Sequence, residues 1–242
     1  MKYLVCNLKA NKIYEELIEY EKELKKLNIN NEIELIVCPS TLFLYMFKND
    51  TYKLGTQDIS MYNMGPHTGE NTAEQLSSLG VKYALIGHSE RRKLFKEEEN
   101  IIIEKIKKAY HNHIKPIYFI GETEEEKNNN KTELALEKQI INILNEVPDY
   151  KREKMIIVYE PIWAIGSGVL PKNKDIIERI NWIKETIRRN YGLNLPVLYG
   201  GSVDKKNIEE LCDIEILDGF VIGESSKNIT ELTEIYKTIK NR

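Results

Sequence analysis

The chain has 242 residues, which is enough for one large α/β domain or two small ones. Acidic and basic residues are interspersed, with a formal net charge of −3 and a pI near 6.0, which argues against a nucleic-acid-binding surface. We find neither a secretory signal nor an apolar run that could cross a membrane, so we expect a cytoplasmic protein without membrane contact. Cys6, Cys38 and Cys212 form no Cys-x-x-Cys pair, so neither a disulfide framework nor a zinc site is predicted.

Short apolar runs recur along the chain at intervals of roughly twenty to forty residues, and each predicts a buried strand. These strands are expected to end near Asn7, Cys38, Asp58, Gly87, Gly121, Glu160, Gly200 and Gly223. Amphipathic patterns predict helices over 14–27, 101–110, 134–147, 176–187 and 232–239. Because strands that alternate with helices form parallel sheets, eight such units predict one α/β barrel domain over residues 1–242, ringed by helices.

Two connections depart from this regular alternation. The interval between Cys38 and Tyr52 leaves room for only a short helix. The stretch 122–131 is charged and rich in asparagine, so we expect a solvated loop without a function there.

Polar residues follow the first predicted strand. Asn7 and Lys9 leave its end two residues apart. Because side chains alternate along a strand, both can face the same mouth of the barrel, whereas Leu8 faces the other way. A lysine at such a position is usually solvated surface, so this pair indicates a site only together with other strand ends.

Two other strand ends carry residues that suit acid–base chemistry. His88 stands at the predicted start of a helix, where the positive end of the helix dipole favours a neutral ring that can donate a hydrogen bond. Glu160 follows another buried strand and precedes an apolar segment with Gly166 and Gly168, a layout typical of a catalytic base with a lid. A lone histidine is more often structural, and a glutamate can simply cap a strand. A lysine, a histidine and a glutamate at three equivalent strand ends nevertheless indicate a site.

Four segments, taken in order, resemble the signature segments of the triosephosphate isomerase family. They are Asn7-Leu8-Lys9, Gly87 to Arg92, Tyr159 to Gly168, and Tyr199 to Val203. Shorter pieces that also match are Gln57, Thr68-Gly69-Glu70, Gly121-Glu122 and Asp218-Gly219-Phe220. The resemblance covers nearly the whole chain and implies a (β/α)8 TIM barrel.

The resemblance also implies an activity and a set of roles. The family interconverts D-glyceraldehyde 3-phosphate and dihydroxyacetone phosphate through an enediolate, without cofactor or metal. The roles established for that family are carried over here by resemblance: Glu160 is the base, neutral His88 polarises the carbonyl, and Lys9 supplies positive charge. Ser89 and Glu90 are expected to support them. Substrate and phosphate contacts are expected at Asn7, Lys9, Gly166, Ser202, Gly223 and Glu224.

Several residues depart from the family pattern. Glu224 stands where a second glycine is usual, so its carboxylate would repel phosphate unless the side chain points to solvent, and a positive φ there would add about 1–2 kcal/mol of strain. Leu8 replaces an aromatic residue and Phe119 a cysteine, which we interpret as packing changes. Asp58 replaces an asparagine near the expected interface. The segment 169–171 replaces a polar hinge, and its proline stiffens the chain. We expect activity to survive these changes.

Assembly and two alternative functions follow from the same residues. In the family, the loop that corresponds to Thr68-Gly69-Glu70 reaches into a neighbouring subunit and braces its lysine and histidine, so a homodimer is implied.

One alternative function is that of an isomerase of a larger sugar phosphate such as a tetrulose phosphate, which Glu224 and the altered hinge make conceivable. The other is a barrel that has lost catalysis and only binds a ligand or partner. The retention of Lys9, His88 and Glu160 argues against that second alternative.

Overall fold

The structure, a computed structural model, describes residues 2–49, 51–165 and 170–242. Eight parallel strands form one closed barrel in chain order, and β1 pairs with both β2 and β8. The strands are β1 (Lys2–Asn7), β2 (Ile33–Cys38), β3 (Lys53–Thr56), β4 (Tyr83–Ile86), β5 (Lys115–Ile120), β6 (Ile156–Tyr159), β7 (Val197–Tyr199) and β8 (Gly219–Ile222). The predicted TIM barrel is therefore confirmed.

Helices surround this barrel. The α-helices of the described residues are α1 (Tyr14–Leu24), α2 (Ala73–Leu79), α3 (Ser89–Leu94), α4 (Glu99–His111), α5 (Glu124–Asn128), α6 (Thr132–Glu146), α7 (Asp149–Arg152), α8 (Asn173–Tyr191), α9 (Ile208–Cys212) and α10 (Ile229–Lys240). Short 3-10 helices occupy Thr41–Phe47, Ile162–Ala164 and Glu224–Lys227. The five amphipathic helices predicted from the sequence are all present, and the interval after β2 holds only a short helix, as expected.

Local capping explains where several helices begin and end. The side chain of Asn228 accepts hydrogen bonds from the backbone N–H groups of Thr230 (2.9 Å) and Glu231 (3.3 Å), which starts α10. Gly192 ends α8 with φ 68°, a left-handed conformation that glycine adopts without a steric penalty.

The strands are buried on both faces. One set of alternating strand residues packs inside the barrel, and the other set packs against the helices. The interior set is Tyr3, Val5, Ile36, Cys38, Tyr83, Leu85, Ile117, Phe119, Ile156, Val158, Leu198 and Val221. A filled interior leaves the carboxyl ends of the strands as the place for a ligand.

The prediction of a solvated loop over 122–131 is wrong. This stretch contains α5, and Glu122 before it is only 2% exposed. The helix forms because Thr123 and Glu126 make a capping box: Thr123 Oγ1 accepts from the Glu126 N–H at 3.2 Å, and the Glu126 carboxylate accepts from the Thr123 N–H at 2.8 Å.

The three cysteines all lie within the described residues; they are free, and Cys6 and Cys38 are buried. None of the helices in ranges 2–49, 51–165 and 170–242 combines the length and the apolar character that a membrane span requires. Within the same ranges, His, Cys, Asp and Glu side chains form no group of three or more that could hold a metal ion.

Candidate active site

A cavity of about 500 Å³ opens at the carboxyl ends of the barrel strands. It brings together residues from the connections after β1, β4, β6, β7 and β8. Its lining includes Asn7, Lys9, His88, Glu90, Glu160, Ile165, Ser202, Asp204, Gly223, Glu224, Ser225 and Glu231. Most of the site residues predicted from the sequence therefore share one cavity. Gly166 lies outside the described residues, and neither buried Ser89 nor exposed Thr68 is part of this lining.

Glu160 stands directly after β6 and is 4% exposed. Its backbone N–H donates to the carbonyl of Ile120 at 2.8 Å, which continues the strand pairing and fixes where the side chain leaves the barrel. Carboxylate Oε2 accepts a hydrogen bond from the Ser89 N–H at 3.0 Å, and Oε1 lies 3.2 Å from His88 Nε2. A buried carboxylate with two donors and a face on a cavity is a suitable general base.

His88 is the N-cap residue of α3, and its ring is held on three sides. Nδ1 accepts a hydrogen bond from the backbone N–H of Glu90 at 3.2 Å. An accepting nitrogen carries no proton, so the proton of a neutral ring resides on Nε2, which faces Glu160. The ring of Phe119 packs edge-to-face on it with 5.0 Å between the centroids. The residue interpreted as a mere packing change thus contacts the site histidine.

Lys9 is held in an uncommon backbone conformation after β1. Its φ of 51° is left-handed, which costs a residue with a Cβ about 1–2 kcal/mol. Asn7 Oδ1 accepts from the Lys9 N–H at 3.1 Å, and Gln57 donates to the Lys9 carbonyl at 2.9 Å. The Lys9 ammonium lies 2.5 Å from Glu90 Oε1. Asn7, Gln57 and Glu90 therefore place this cation at the cavity.

The expected phosphate end of the cavity lies after β7 and β8. A Cβ on Gly223 would lie 3.2 Å from Lys9 Cε, so the backbone passes close to the lysine. Ser202 donates its hydroxyl proton to the carbonyl of Ala164 at 3.2 Å, which links this end to the segment before residues 166–169.

Glu224, the main departure from the family pattern, lies at the rim of the cavity. Its side chain is 88% exposed and pairs with Lys227. It is not among the described residues with positive φ, so the strain considered from the sequence does not arise. Most of the Glu224 side chain is therefore open to solvent.

Sequence reasoning missed the role of Glu122. This buried carboxylate accepts hydrogen bonds from the Tyr159 hydroxyl (3.1 Å) and the Trp163 indole (2.7 Å). Burial, and then the charge of Glu122, raise the pKa of Tyr159 well above its usual value, so its hydroxyl stays a donor. Lys127 of α5 lies over the Trp163 ring, 3.1 Å from its centroid. Glu122 thus anchors Tyr159, directly before Glu160, and the 3-10 helix that contains Trp163, whereas the Thr-x-x-Glu pattern in the sequence signals only the start of α5.

A second feature absent from the sequence analysis is a buried charge cluster behind α3. Arg91 contacts Asp58 at 2.9 Å and Glu97 at 2.6 Å. Lys105 contacts the same two carboxylates at 2.7 and 2.5 Å. Burial raises the pKa of Asp58, and the opposing effect of Lys105 and Arg91 only partly offsets it. The cluster ties the helix that carries His88 to the end of β3 and to α4.

Comparison with known proteins agrees with this geometry. The family model described as triosephosphate isomerase matches residues 2–239. A triosephosphate isomerase of Clostridium botulinum (strain Langeland) is 36% identical over 237 residues, which cover 95% of this chain and 96% of that protein. The one of Orientia tsutsugamushi (strain Ikeda) is 37% identical over 247 residues, covering 98% and 97%. The chain belongs to the triosephosphate isomerase family.

Proposed function

We propose that this protein interconverts D-glyceraldehyde 3-phosphate and dihydroxyacetone phosphate. The observation that carries the proposal is the shared cavity in which Glu160 contacts His88 and which Lys9 also lines. A base, a neutral hydrogen-bond donor and a cation are the groups that an enediolate intermediate requires. The family and its named members support the same reaction.

The proposed chemistry moves one proton between neighbouring carbons. When substrate binds, the Glu160 carboxylate leaves the Ser89 N–H and His88 Nε2 and removes a proton from the carbon next to the carbonyl. The electron pair of that C–H bond forms the C=C bond of the enediolate, and the carbonyl oxygen takes up negative charge. His88 donates from Nε2 to the substrate oxygens, and Lys9 offsets the charge. His88 Nε2 passes its proton to the former carbonyl oxygen and takes up the proton of the neighbouring hydroxyl, so that the negative charge moves to the second oxygen. As that oxygen forms the new carbonyl, the C=C electron pair takes the proton back from Glu160 at the other carbon, which completes the isomerisation.

The phosphate end relies on backbone donors in this proposal. The N–H groups at Ser202, Gly223 and Glu224 can face an anion where the connections after β7 and β8 meet the cavity. Lys9 lies against Gly223, so one ammonium can serve both the phosphate and the reacting oxygen. Asn7 contributes through Lys9, whose backbone it holds.

The test is a steady-state coupled assay of glyceraldehyde 3-phosphate isomerisation on the wild type and Glu160→Gln. We expect a kcat/KM near the diffusional range of about 10⁸ M⁻¹s⁻¹, which falls by at least about a thousandfold in the variant. Glu185→Gln is the matched control, because Glu185 is an exposed residue of α8. A correctly folded wild type with only feeble activity would refute the proposal, and so would an active Glu160→Gln variant.

The alternative of a larger sugar phosphate loses part of its support. It depended on Glu224, whose side chain is largely exposed and pairs with Lys227. It also depended on segment 169–171, of which Val169 lies outside the described residues. Tetrulose phosphates are therefore the substrates to assay only if the triose phosphates fail.

We also infer that the protein works as a homodimer, an assignment that exposed apolar side chains support. Several of them lie on or next to α1, the 3-10 helix after β2, the connection after β3, and α3. They are Ile13, Tyr14, Leu42, Tyr45, Tyr62, Met64, Leu94 and Phe95. Thr68 is exposed on the same connection and free to reach a second subunit.

Sedimentation equilibrium tests the dimer. We expect twice the chain mass of 28.3 kDa for the wild type, and a shift towards monomer with reduced kcat for Thr68→Arg. A monomeric wild type with full activity would contradict the inference.

A cytoplasmic location and the absence of a nucleic-acid partner remain predictions from the sequence.

A further inference from the structure

Three acidic residues line the same cavity as Ser202 and Gly223, which offer backbone N–H groups to a phosphate. They are Asp204, Glu224 and Glu231. A phosphate dianion that enters there meets like charges, and their repulsion lowers its affinity. The acidic rim therefore needs compensation if the cavity is to hold a phosphorylated substrate.

Two of the three carboxylates are held by uncharged donors. Asp204 Oδ1 accepts from the backbone N–H groups of Lys206 (2.7 Å) and Asn207 (3.1 Å). Glu231 Oε1 accepts from the Ser225 hydroxyl at 2.9 Å. These hydrogen bonds fix the direction of each carboxylate, but they leave its net charge in place.

Glu224 alone of the three has a cationic partner among the described residues. Lys227 follows three residues later on the same 3-10 helix, and its ammonium contacts Glu224 Oε1. The lysine side chain is 29% exposed and the glutamate side chain 88%, so the better-buried lysine holds the carboxylate at the outer side of the rim. Lys227 itself does not line the cavity.

We propose that Lys227 sets the phosphate affinity of the cavity by neutralising Glu224 and keeping its carboxylate turned away from the bound phosphate. This inference rests on the proposed function, since it concerns a phosphorylated substrate. Neither member of the pair contacts Glu160 or His88, so the pair affects the ground state and the transition state alike. It therefore acts on KM rather than on kcat.

The test compares Lys227→Met, Glu224→Gln and the double variant with the wild type at about 20 mM and about 500 mM salt. At low salt, Lys227→Met is expected to raise KM for glyceraldehyde 3-phosphate by about three- to tenfold, with kcat within about twofold. Glu224→Gln lowers KM, and the double variant returns to within about twofold of the wild type. High salt reduces each difference, because the charges are screened.

Lys22→Met is the matched control. Lys22 also pairs with a glutamate three residues away, Glu19, at 3.4 Å, and it lies outside the cavity lining. The variant loses the same charge at an exposed pair, so its KM should equal that of the wild type. A rise in KM equal to that of Lys227→Met would mean that net charge alone governs affinity, and would overturn the proposal.

Direct binding of inorganic phosphate, followed by the shift in Tm, gives a readout that needs no turnover. We expect the phosphate dissociation constants of the variants to follow the order of their KM values. If the wild type showed no isomerase activity but the phosphate dissociation constants of the variants still followed the expected order, the proposed function would be refuted and the role of Lys227 would stand. A double variant as weak as Lys227→Met would overturn that role, as would a joint fall of kcat and Tm in Lys227→Met.

Discussion

Replacing Lys105 by methionine removes a positive charge from the buried cluster behind the helix that carries His88. The Lys105 ammonium lies 2.5 Å from Glu97 Oε1 and 2.7 and 2.8 Å from the two carboxylate oxygens of Asp58. The side chains of Lys105 and Glu97 are each 5% exposed, so water has little access to replace the lost cation. Methionine is unbranched and fills much of the space of the lysine stem, so charge is the main change.

The cost can be estimated from this geometry. Removal of one partner from a buried ion pair destabilises a protein by about 3–5 kcal/mol, because the remaining charge is uncompensated. Arg91 still contacts Glu97 at 2.6 Å and Asp58 at 2.9 Å, which places the expected loss near the lower end, about 3 kcal/mol. For a chain of this length, that loss lowers Tm by about 6–12 °C.

Calorimetric unfolding measures this loss, with Lys107→Met as the matched control. Lys107 lies on the same helix and contacts Glu104 at 3.2 Å and Glu146 at 3.0 Å, but its side chain is 36% exposed. Its replacement should cost less than about 1 kcal/mol. Equal Tm values for the two variants would refute the reasoning, because the loss of stability on removing a lysine charge would then not depend on burial.

Two further predictions concern buried carboxylates. Burial raises the pKa of Asp58 in the folded chain above its value in the unfolded chain, so ionisation of this carboxyl at neutral pH lowers the free energy of unfolding. The free energy of unfolding of Asp58→Asn relative to the wild type should therefore rise as the pH increases from below about 4, where the carboxyl is protonated in both states, to 7; urea unfolding across pH checks this, and a relative fall over that range would contradict it. Glu122→Leu removes the acceptor of the Trp163 indole, so kcat/KM should fall about tenfold and the Trp163 emission maximum should shift in a Trp182→Phe background. Unchanged emission would show that the indole does not depend on this acceptor.

The order of strands and helices could be read from the sequence, because it depends on local periodicity. Apolar runs buried on both faces gave eight strand ends; the end of β3 at Thr56, two residues before Asp58, is one of the small differences. Helix boundaries were less accurate: α1 ends at Leu24 rather than at residue 27. The capping box of Thr123 and Glu126 is visible in the sequence as a Thr-x-x-Glu pattern, although the high charge of the surrounding segment favours a loop.

The sequence by itself determined the fold class and the residues that converge on the cavity, because Lys9, His88 and Glu160 each follow a strand of one parallel barrel. Only the tertiary structure decided the surroundings of other charged groups. Glu122 is buried by its contact with Trp163, 41 residues away, and Asp58 by Lys105, 47 residues away. Charge and exposure at such positions depend on partners that are distant in the chain, and no local pattern encodes which of them will meet.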